Sequence, residues 1–346
     1  MQNKPGYILF LLFSILSLCS VLISLYFSRV IIYRQLIQTN IKEQQCQQLA
    51  ISCLDLGQSL LIPEQEEKKE GEAKTAQETI QETLTSLQKT LIKIFPYLNK
   101  EKSFDLKNNK DLINAQISLS IISEHGKLNL NSLYDFEKKK FINEGKPNDA
   151  KKLCTWLFNK IAQITGKPNL FAAFENILKN RTSEFNDPLE LLADASFSEQ
   201  FNDENIFIHF EKNNQNKIFL TDIFTVYTED ETINPWFFSP SWQKLLDIEV
   251  KENLNSEFIT NIIKKLKPTV NWKTDWDNYL KDFYQKEYKD LPEEIKSILT
   301  TTFVVNIFSL LTKVKIAETN SSIFTIVKAN TKQYLTGFDT LKIGKI

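Results

Sequence analysis

Two histidines and four cysteines are the residues of this chain best suited to chemistry. His125 stands in the turn-like run Ser-Glu-His-Gly, and His209 lies in the apolar run 206–210. Neither has a cysteine or second histidine at the spacing that tetrahedral zinc requires. Cys46 and Cys53 are seven residues apart. On a helix that puts them on one face but roughly 10 Å apart along the axis, too far for a disulfide. With Cys19 and Cys154 they read as free thiols. Glu229-Asp230-Glu231 has the carboxylates a calcium loop uses, but acids in a turn are ordinarily solvated. The nucleophile elbow, the phosphate-loop signature and paired-histidine motifs are all missing, and 8 glycines leave little material for phosphate cradles. The chain reads as a non-enzyme with no cofactor.

The element that organises the rest is the run 7–28, YILFLLFSILSLCSVLISLYFS, which carries no charge and no proline. As a helix it reaches ~33 Å, enough for a bilayer core, and in hydrocarbon a helix satisfies its own backbone groups. It is long for a signal-peptide core, and Ser17-Leu18-Cys19 suits neither a signal-peptidase site nor a lipoprotein site. On length alone it reads as a retained anchor. Lys4 set against Arg29 and Arg34 leaves the orientation open, although the short leader favours an N-terminus inside. A formal net charge of −1 over 346 residues does not favour a nucleic-acid partner.

The helical pattern continues through 29–62. Apolar residues recur there at Cys46, Leu49, Cys53, Leu56 and Leu60, and Pro63 ends the run. A stalk and a helix lying on a small sheet would share this pattern. Residues 64–78 are a solvated charge run, and 79–95 return to helical spacing before Pro96. At Leu112 the period changes to two, with Ile113, Ala115, Ile117, Leu119 and Ile121 on one face of a strand. His125-Gly126 turns the chain, and the Ser132–Asp135 spacing predicts a helix start.

Helices with breakers at 145–147 and 166–168 follow. One is marked by Leu153, Trp156, Leu157, Ile161 and Ile164, another by Phe171, Phe174, Ile177 and Leu178. Asp187-Pro188 predicts an N-cap with proline in the first turn. Strands are predicted at 206–210 and 217–228, and helices from Ser239-Pro240 through Leu246, over 258–266 and over 276–283. Trp236, Trp242, Trp272 and Trp276 are predicted core. Strands over 303–317 and 323–329 join through a turn at Asn320-Ser321-Ser322. Helices lying between strands predict an α+β fold: a long helix on a small antiparallel sheet, with a large all-α insert.

Several of these stretches resemble a known family. Lys4-Pro5-Gly6-Tyr7 resembles the leader of type IV pilin-like proteins, a short basic segment and a glycine running straight into an apolar helix. Most members carry Glu at the fifth mature position. Leu11 stands there, which resembles the minor pseudopilin branch called general secretion pathway protein K. The run ISLSIISEHGKLNLNSL over 117–133 is similar to that family's strand-turn-helix junction. Residues 187–192 resemble its Pro-x-Glu-Leu helix start, 219–246 its second junction, and the closing hairpin its last strands. One departure is at Ile233-Asn234, where Pro235-Trp236 replaces the family's x-Asn-Thr-Ala. The other is the long aromatic stretch 250–297.

The resemblance implies a structural subunit at the tip of the type II secretion pseudopilus, supporting protein export across the outer membrane. Prepilin peptidase would cut between Gly6 and Tyr7, Leu11 would mark the tip position, and Asn129, Asn131 and Asn234 would form the junctions. It further implies a bacterial inner-membrane anchor with the C-terminal domain in the periplasm, other minor pseudopilins as partners, and calcium as the one candidate ligand. The expected division is a leader 1–6, a helix 7–62, a loop 63–78, a helix and strand 79–125, a SAM-like, helix-hairpin-helix-like module 126–205, strands 206–232, a second helical module 233–299 and closing strands 300–346. The alternative is a single-pass anchored periplasmic scaffold or ligand-binding protein without prepilin processing.

Overall fold

A computed structural model describes residues 5–61, 88–89, 91–108, 113–201, 206–207, 217–229, 231–248, 256–267, 269–303, 305–329 and 338–345. Helix α1, Pro5–Leu61, runs for 57 residues without a break, about 85 Å at the ordinary rise. It has two unlike halves. Every described side chain from Leu9 to Lys42 is exposed, and close packing begins only at Cys46. Among the described residues this is the one helix long and apolar enough to cross a membrane.

The C-terminal half lies on a five-stranded antiparallel sheet of order β1-β2-β7-β8-β9. Its first strands are β1 (Glu101–Asn108) and β2 (Ile113–Ser123). The chain then leaves the sheet for a long excursion through β3 (Leu128–Asn129), β4 (Tyr134–Asp135) and β5 (Lys140–Phe141), and through α2 (Ala150–Thr165) and α3 (Phe171–Asn180). It continues by α4 (Ala195–Gln200), α5 (Leu220–Ile223), β6 (Phe224–Thr225), α6 (Pro240–Leu245), α7 (Ser256–Lys264), α8 (Trp272–Tyr279), α9 (Lys281–Tyr284) and α10 (Glu293–Lys296). It returns as β7 (Ile307–Ile316), β8 (Thr319–Ala329) and β9 (Phe338–Lys345). β7 pairs with β2 on one side and β8 on the other, so strands from both ends of the domain share one sheet. This is the predicted α+β architecture of a long helix, an antiparallel sheet and a helical insert.

Alternation explains how the sheet packs. Leu119, Leu310 and Val314 point to α1, where Gly57 lets the helix backbone come close; a Cβ there would stand 3.2 Å from Leu119 Cδ1. Ile122, Leu311, Phe324 and Ile326 point the other way and form a second cluster with Phe219. The centre of the sheet is therefore buried on both faces. Within the lobe, Phe158, Phe174, Phe197 and Phe224 form an aromatic knot with centroids 5.1–6.4 Å apart. Burying such rings contributes about 1.5–3 kcal/mol each. The four predicted core tryptophans are all buried. Trp242, Trp272 and Trp276 each donate an indole N–H to a carbonyl, and Trp236 Nε1 has no partner.

Several expectations are corrected. The buried face of α1 is Cys46, Ala50, Cys53, Leu54 and Leu61, with Gly57 against the sheet, and Leu56, 48% exposed, lies off that face. β1 had no clear alternation to announce it; its Phe104 and Leu106 are exposed. No helix starts at Ser132. Tyr134–Asp135 pairs with β5, and α2 begins only at Ala150, where Asp149 accepts from the N–H groups of Lys151 and Lys152. The run 217–228 is a helical turn followed by two strand residues, since α5 buries Leu220 and Ile223 in the lobe. No strand covers Ile206 or Phe207, and 208–210 lie outside the described residues. The hairpin turns at Ala317–Glu318 with Ala317 at φ 53°; Asn320, Ser321 and Ser322 lie within β8, because Asn320 pairs with Lys315. The helix over 276–283 is broken at Leu280 into α8 and α9. The loop 64–78, most of 79–95 and residues 1–4 of the leader lie outside the described residues.

Candidate functional site

The sequence-predicted residues fall in two places. Gly6 and Tyr7 are in the first turns of α1, and Leu11 follows on the free half, 46% exposed. From Leu11 to the first sheet contact at Cys46 is roughly 50 Å of helix. Asn129, Asn131 and Asn234 lie at the other end of the molecule, where the lobe joins the sheet, and the fold brings them together.

At the end of β2 the chain enters a single 3-10 turn, Glu124–Gly126. Gly126 packs directly against the Phe237 carbonyl; a Cβ there would fall 1.6 Å from that oxygen. The Asn234 N–H donates to the His125 carbonyl at 2.7 Å, and the Ser239 N–H to Gly126 O at 3.4 Å. β3 and β6 pair in parallel next to this contact. The first and second junctions are thus bonded to each other through backbone.

Each junction is closed by an asparagine cap. Asn129, at φ −75° and ψ 119°, accepts from Asn131 N at 2.9 Å and starts the 3-10 turn Leu130–Ser132. Asn234, at φ −84° and ψ 111°, accepts from Trp236 N at 3.1 Å and starts the 3-10 turn Pro235–Phe237. A short side chain carrying an acceptor is what an extended N-cap position favours. Asn129 Nδ2 also donates to Thr228 O at 2.5 Å. Asn131 takes the Phe185 peptide in both directions: its Nδ2 donates to Phe185 O at 2.9 Å, and its Oδ1 accepts from Phe185 N at 2.8 Å. Asp187 then caps Pro188–Ala193 as predicted, although that segment is a 3-10 helix.

The residues that sequence reasoning missed lie beneath the first junction. Glu124, Lys127 and Asp222 are each 2% exposed or less. Lys127 Nζ donates to Glu124 Oε1 and, at 3.1 Å, to Ser309 Oγ. The Ser309 hydroxyl also donates to Glu124 Oε1, and Thr225 Oγ1 donates to Glu124 Oε2 at 2.5 Å. Asp222 Oδ2 accepts from Ser241 N at 2.5 Å, while its Oδ1 has no hydrogen-bond partner among the described residues. Burial pushes the Asp222 carboxyl above the usual range, against the smaller downward pull of the Lys127 charge and the bonds from Ser241. A signal was present: Asp222 is the sole acid in the apolar run 218–227, and Glu124 and Lys127 bracket His-Gly three residues apart.

The residues first considered for chemistry have structural surroundings. His125 Nε2 lies 2.7 Å from Asn306 Oδ1. Glu229 pairs with Lys328 at 2.9 Å. His209 and Asp230 lie outside the described residues. All four cysteines are free; burial pushes the Cys53 thiol up to about 11 and Cys154 higher still. Among the described residues no group of three or more His, Cys, Asp or Glu side chains is placed to hold a metal.

No family model matches the chain, and no curated protein matches it. Among solved structures, a chain in the crystal structure of the GspK–GspI–GspJ complex, from the type 2 secretion system of enterotoxigenic Escherichia coli, is similar at 11% identity and a TM-score of 0.37, over 78% of this chain and 98% of that one.

Proposed function

We propose that this chain is a minor pseudopilin of the general secretion pathway protein K type, a structural subunit at the tip of a type II secretion pseudopilus. The observation that carries this reading is the division of α1. Its C-terminal part is a core element of the sheet, while residues 9–42 are exposed. An exposed helix some 50 Å long whose first ~33 Å is charge-free and apolar needs a bilayer, and then needs the helices of neighbouring subunits. The leader Lys4-Pro5-Gly6-Tyr7 supplies the processing site, and Tyr7 would be the first mature residue. Prepilin peptidase and other minor pseudopilins are the partners, and the domain after the anchor would lie in the periplasm. The helical excursion corresponds to the modules 126–205 and 233–299. Placed above the sheet, it would crowd any subunit stacked on that side.

Leu11 supports the tip position. An acid within an apolar helix costs about 2.5–3.5 kcal/mol near mid-membrane. In pilin-like relatives a neighbour's amino terminus offsets that cost, and a subunit at the tip has no neighbour above it. The test is coexpression with a prepilin peptidase followed by N-terminal sequencing. The mature chain should begin at Tyr7, and Gly6→Asp should block processing. Leu11→Glu should leave cleavage intact with no gain in assembly. The purified protein should co-purify in a discrete complex with minor pseudopilins from the same genome. A native chain that keeps Met1 would instead support an uncleaved anchored scaffold, and homopolymeric filaments would rule out the tip role.

A further inference from the structure

The joint between lobe and sheet holds more negative than positive charge in a dry interior. Glu124 and Lys127 come from the end of β2 and the turn after it, Ser309 from β7, Thr225 from β6, and Asp222 from α5 with Ser241 of α6 against it. All of these side chains are buried. The one ammonium among them is committed: Lys127 bonds Glu124 and Ser309, and two hydroxyls complete the Glu124 carboxylate. Asp222 takes the Ser241 N–H on Oδ2 and a further bond from the Ser241 side chain, and among the described residues it forms no ion pair and its Oδ1 has no partner. The remaining charge nearby is Lys244 of α6, whose ammonium donates to the Lys217 carbonyl at 2.9 Å. Tyr227 faces Glu124 from β6's end of the joint. Asp222 also lines a small cavity with Lys127, Thr221 and Ser309, closed on its other side by Ile122, Phe207, Leu311 and Phe324.

An ionised carboxylate with one free oxygen and no counter-charge is among the most costly groups to bury, and such groups neutralise instead. We propose that Asp222 stands in the folded protein as a neutral carboxylic acid at the joint between the helical lobe and the sheet. The geometry favours this because Ser239 Oγ bonds the Asp222 carbonyl while the Ser241 N–H bonds its carboxyl. The same residue therefore anchors the start of α6 on one side and borders the Glu124–Lys127 pair on the other. Losing the proton would place a second carboxylate charge beside Glu124, while Lys127 is held by Glu124 and Lys244 donates to the Lys217 carbonyl, and the cavity is where water would enter.

The sign follows from linkage. A carboxyl that binds its proton more tightly folded than unfolded contributes full stability below the unfolded pKa of about 3.9, and that contribution is lost as pH rises toward the folded value. The test uses the full-length protein in detergent micelles, followed by tryptophan fluorescence melting from about pH 5 to about pH 9. The wild-type melting temperature should fall across this window relative to Asp222→Asn, whose profile should stay nearly level. At neutral pH the infrared difference spectrum of wild type minus Asp222→Asn should show the carbonyl band of one protonated carboxylic acid. Should Asp222→Asn fail to fold, Glu124→Gln serves. It frees the Lys127 ammonium to pair with Asp222, so the acid band should disappear and the pH slope shrink. Parallel profiles or an absent acid band in wild type would overturn the proposal.

Discussion

The two junctions share a backbone and differ in what holds them. Asn129 and Asn234 have nearly the same backbone angles, and each caps a single 3-10 turn by accepting from the residue two ahead. In the first junction that residue is Asn131, which grips both sides of the Phe185 peptide. In the second it is Trp236, buried against Tyr279 at 5.9 Å and Phe303 at 6.4 Å. One position thus anchors its module by paired hydrogen bonds and the other by an aromatic contact. The Asn–Pro–Trp run of the second junction keeps the cap and replaces the amide clamp of the first with an aromatic one.

The hardest blow to this pairing is Gly126→Ala. A Cβ driven into the Phe237 carbonyl forces the junctions apart, and the loss should be roughly 4 kcal/mol or more, at the upper end for a single substitution. Urea unfolding followed by tryptophan fluorescence reads it, and a loss under about 1 kcal/mol would show that the junctions are not mutually seated. Next is Trp236→Asn, which writes the residue of the first junction, Asn131, into the second. With no peptide there shown to need the amide and an aromatic site emptied, it should cost about 3 kcal/mol. A neutral result would mean that the second junction is clamped as the first is.

Asn131→Ala should cost about 2 kcal/mol, because it leaves the Phe185 N–H and carbonyl without their partner. Asn129→Ala should cost more than the roughly 1 kcal/mol of a lost cap, since Asn129 also holds the Thr228 carbonyl. A loss no larger than that of a cap alone would mean that this second bond contributes nothing. Outside the junctions, Asp149 caps α2. Its burial raises the carboxyl, but the N–H groups of Gly145, Lys152 and Lys151 outweigh that and hold it below the ordinary range. Its contribution is therefore present above the unfolded pKa near 3.9 and fades as pH falls through the lower folded value. Asp149→Asn should flatten that acid limb in a pH-dependent melting series.

Local rules carried far where one residue decides. Asp187-Pro188 and Ser239-Pro240 are caps because an acceptor before proline suits the first turn of a helix in any fold. The free thiols, the buried tryptophans and the alternating strand β2 follow in the same way from spacing and hydrophobicity. β1 was missed because it is an edge strand with exposed apolar residues, so no buried face imprinted a period on it. The hairpin turn was misplaced by two residues because Asn320-Ser321-Ser322 is turn-like in type, while the pairing of β7 with β8 left Ala317 and Glu318 at the reversal.

The sequence by itself determined the long helix, because charge-free apolar residues followed by an amphipathic stripe leave a backbone no better conformation. It also determined that helices interrupt a sheet, because the hydrophobic period changes twice along the chain. Only the tertiary structure decided which face of that helix is buried, that 217–228 turns as α5 instead of extending, and that the two junctions meet. Those outcomes rest on contacts between residues far apart in the chain, such as Ala50 with Thr312, Asn234 with His125 or Thr225 with Glu124. Asp222 is the sharpest case. Within its own segment it is one acid among apolar neighbours, and Ser241, which bonds it, and Lys127 and Ser309, which share its cavity, come from three other parts of the chain. No local spacing records that Lys127 is already held by Glu124, and that commitment sets the charge state of the joint.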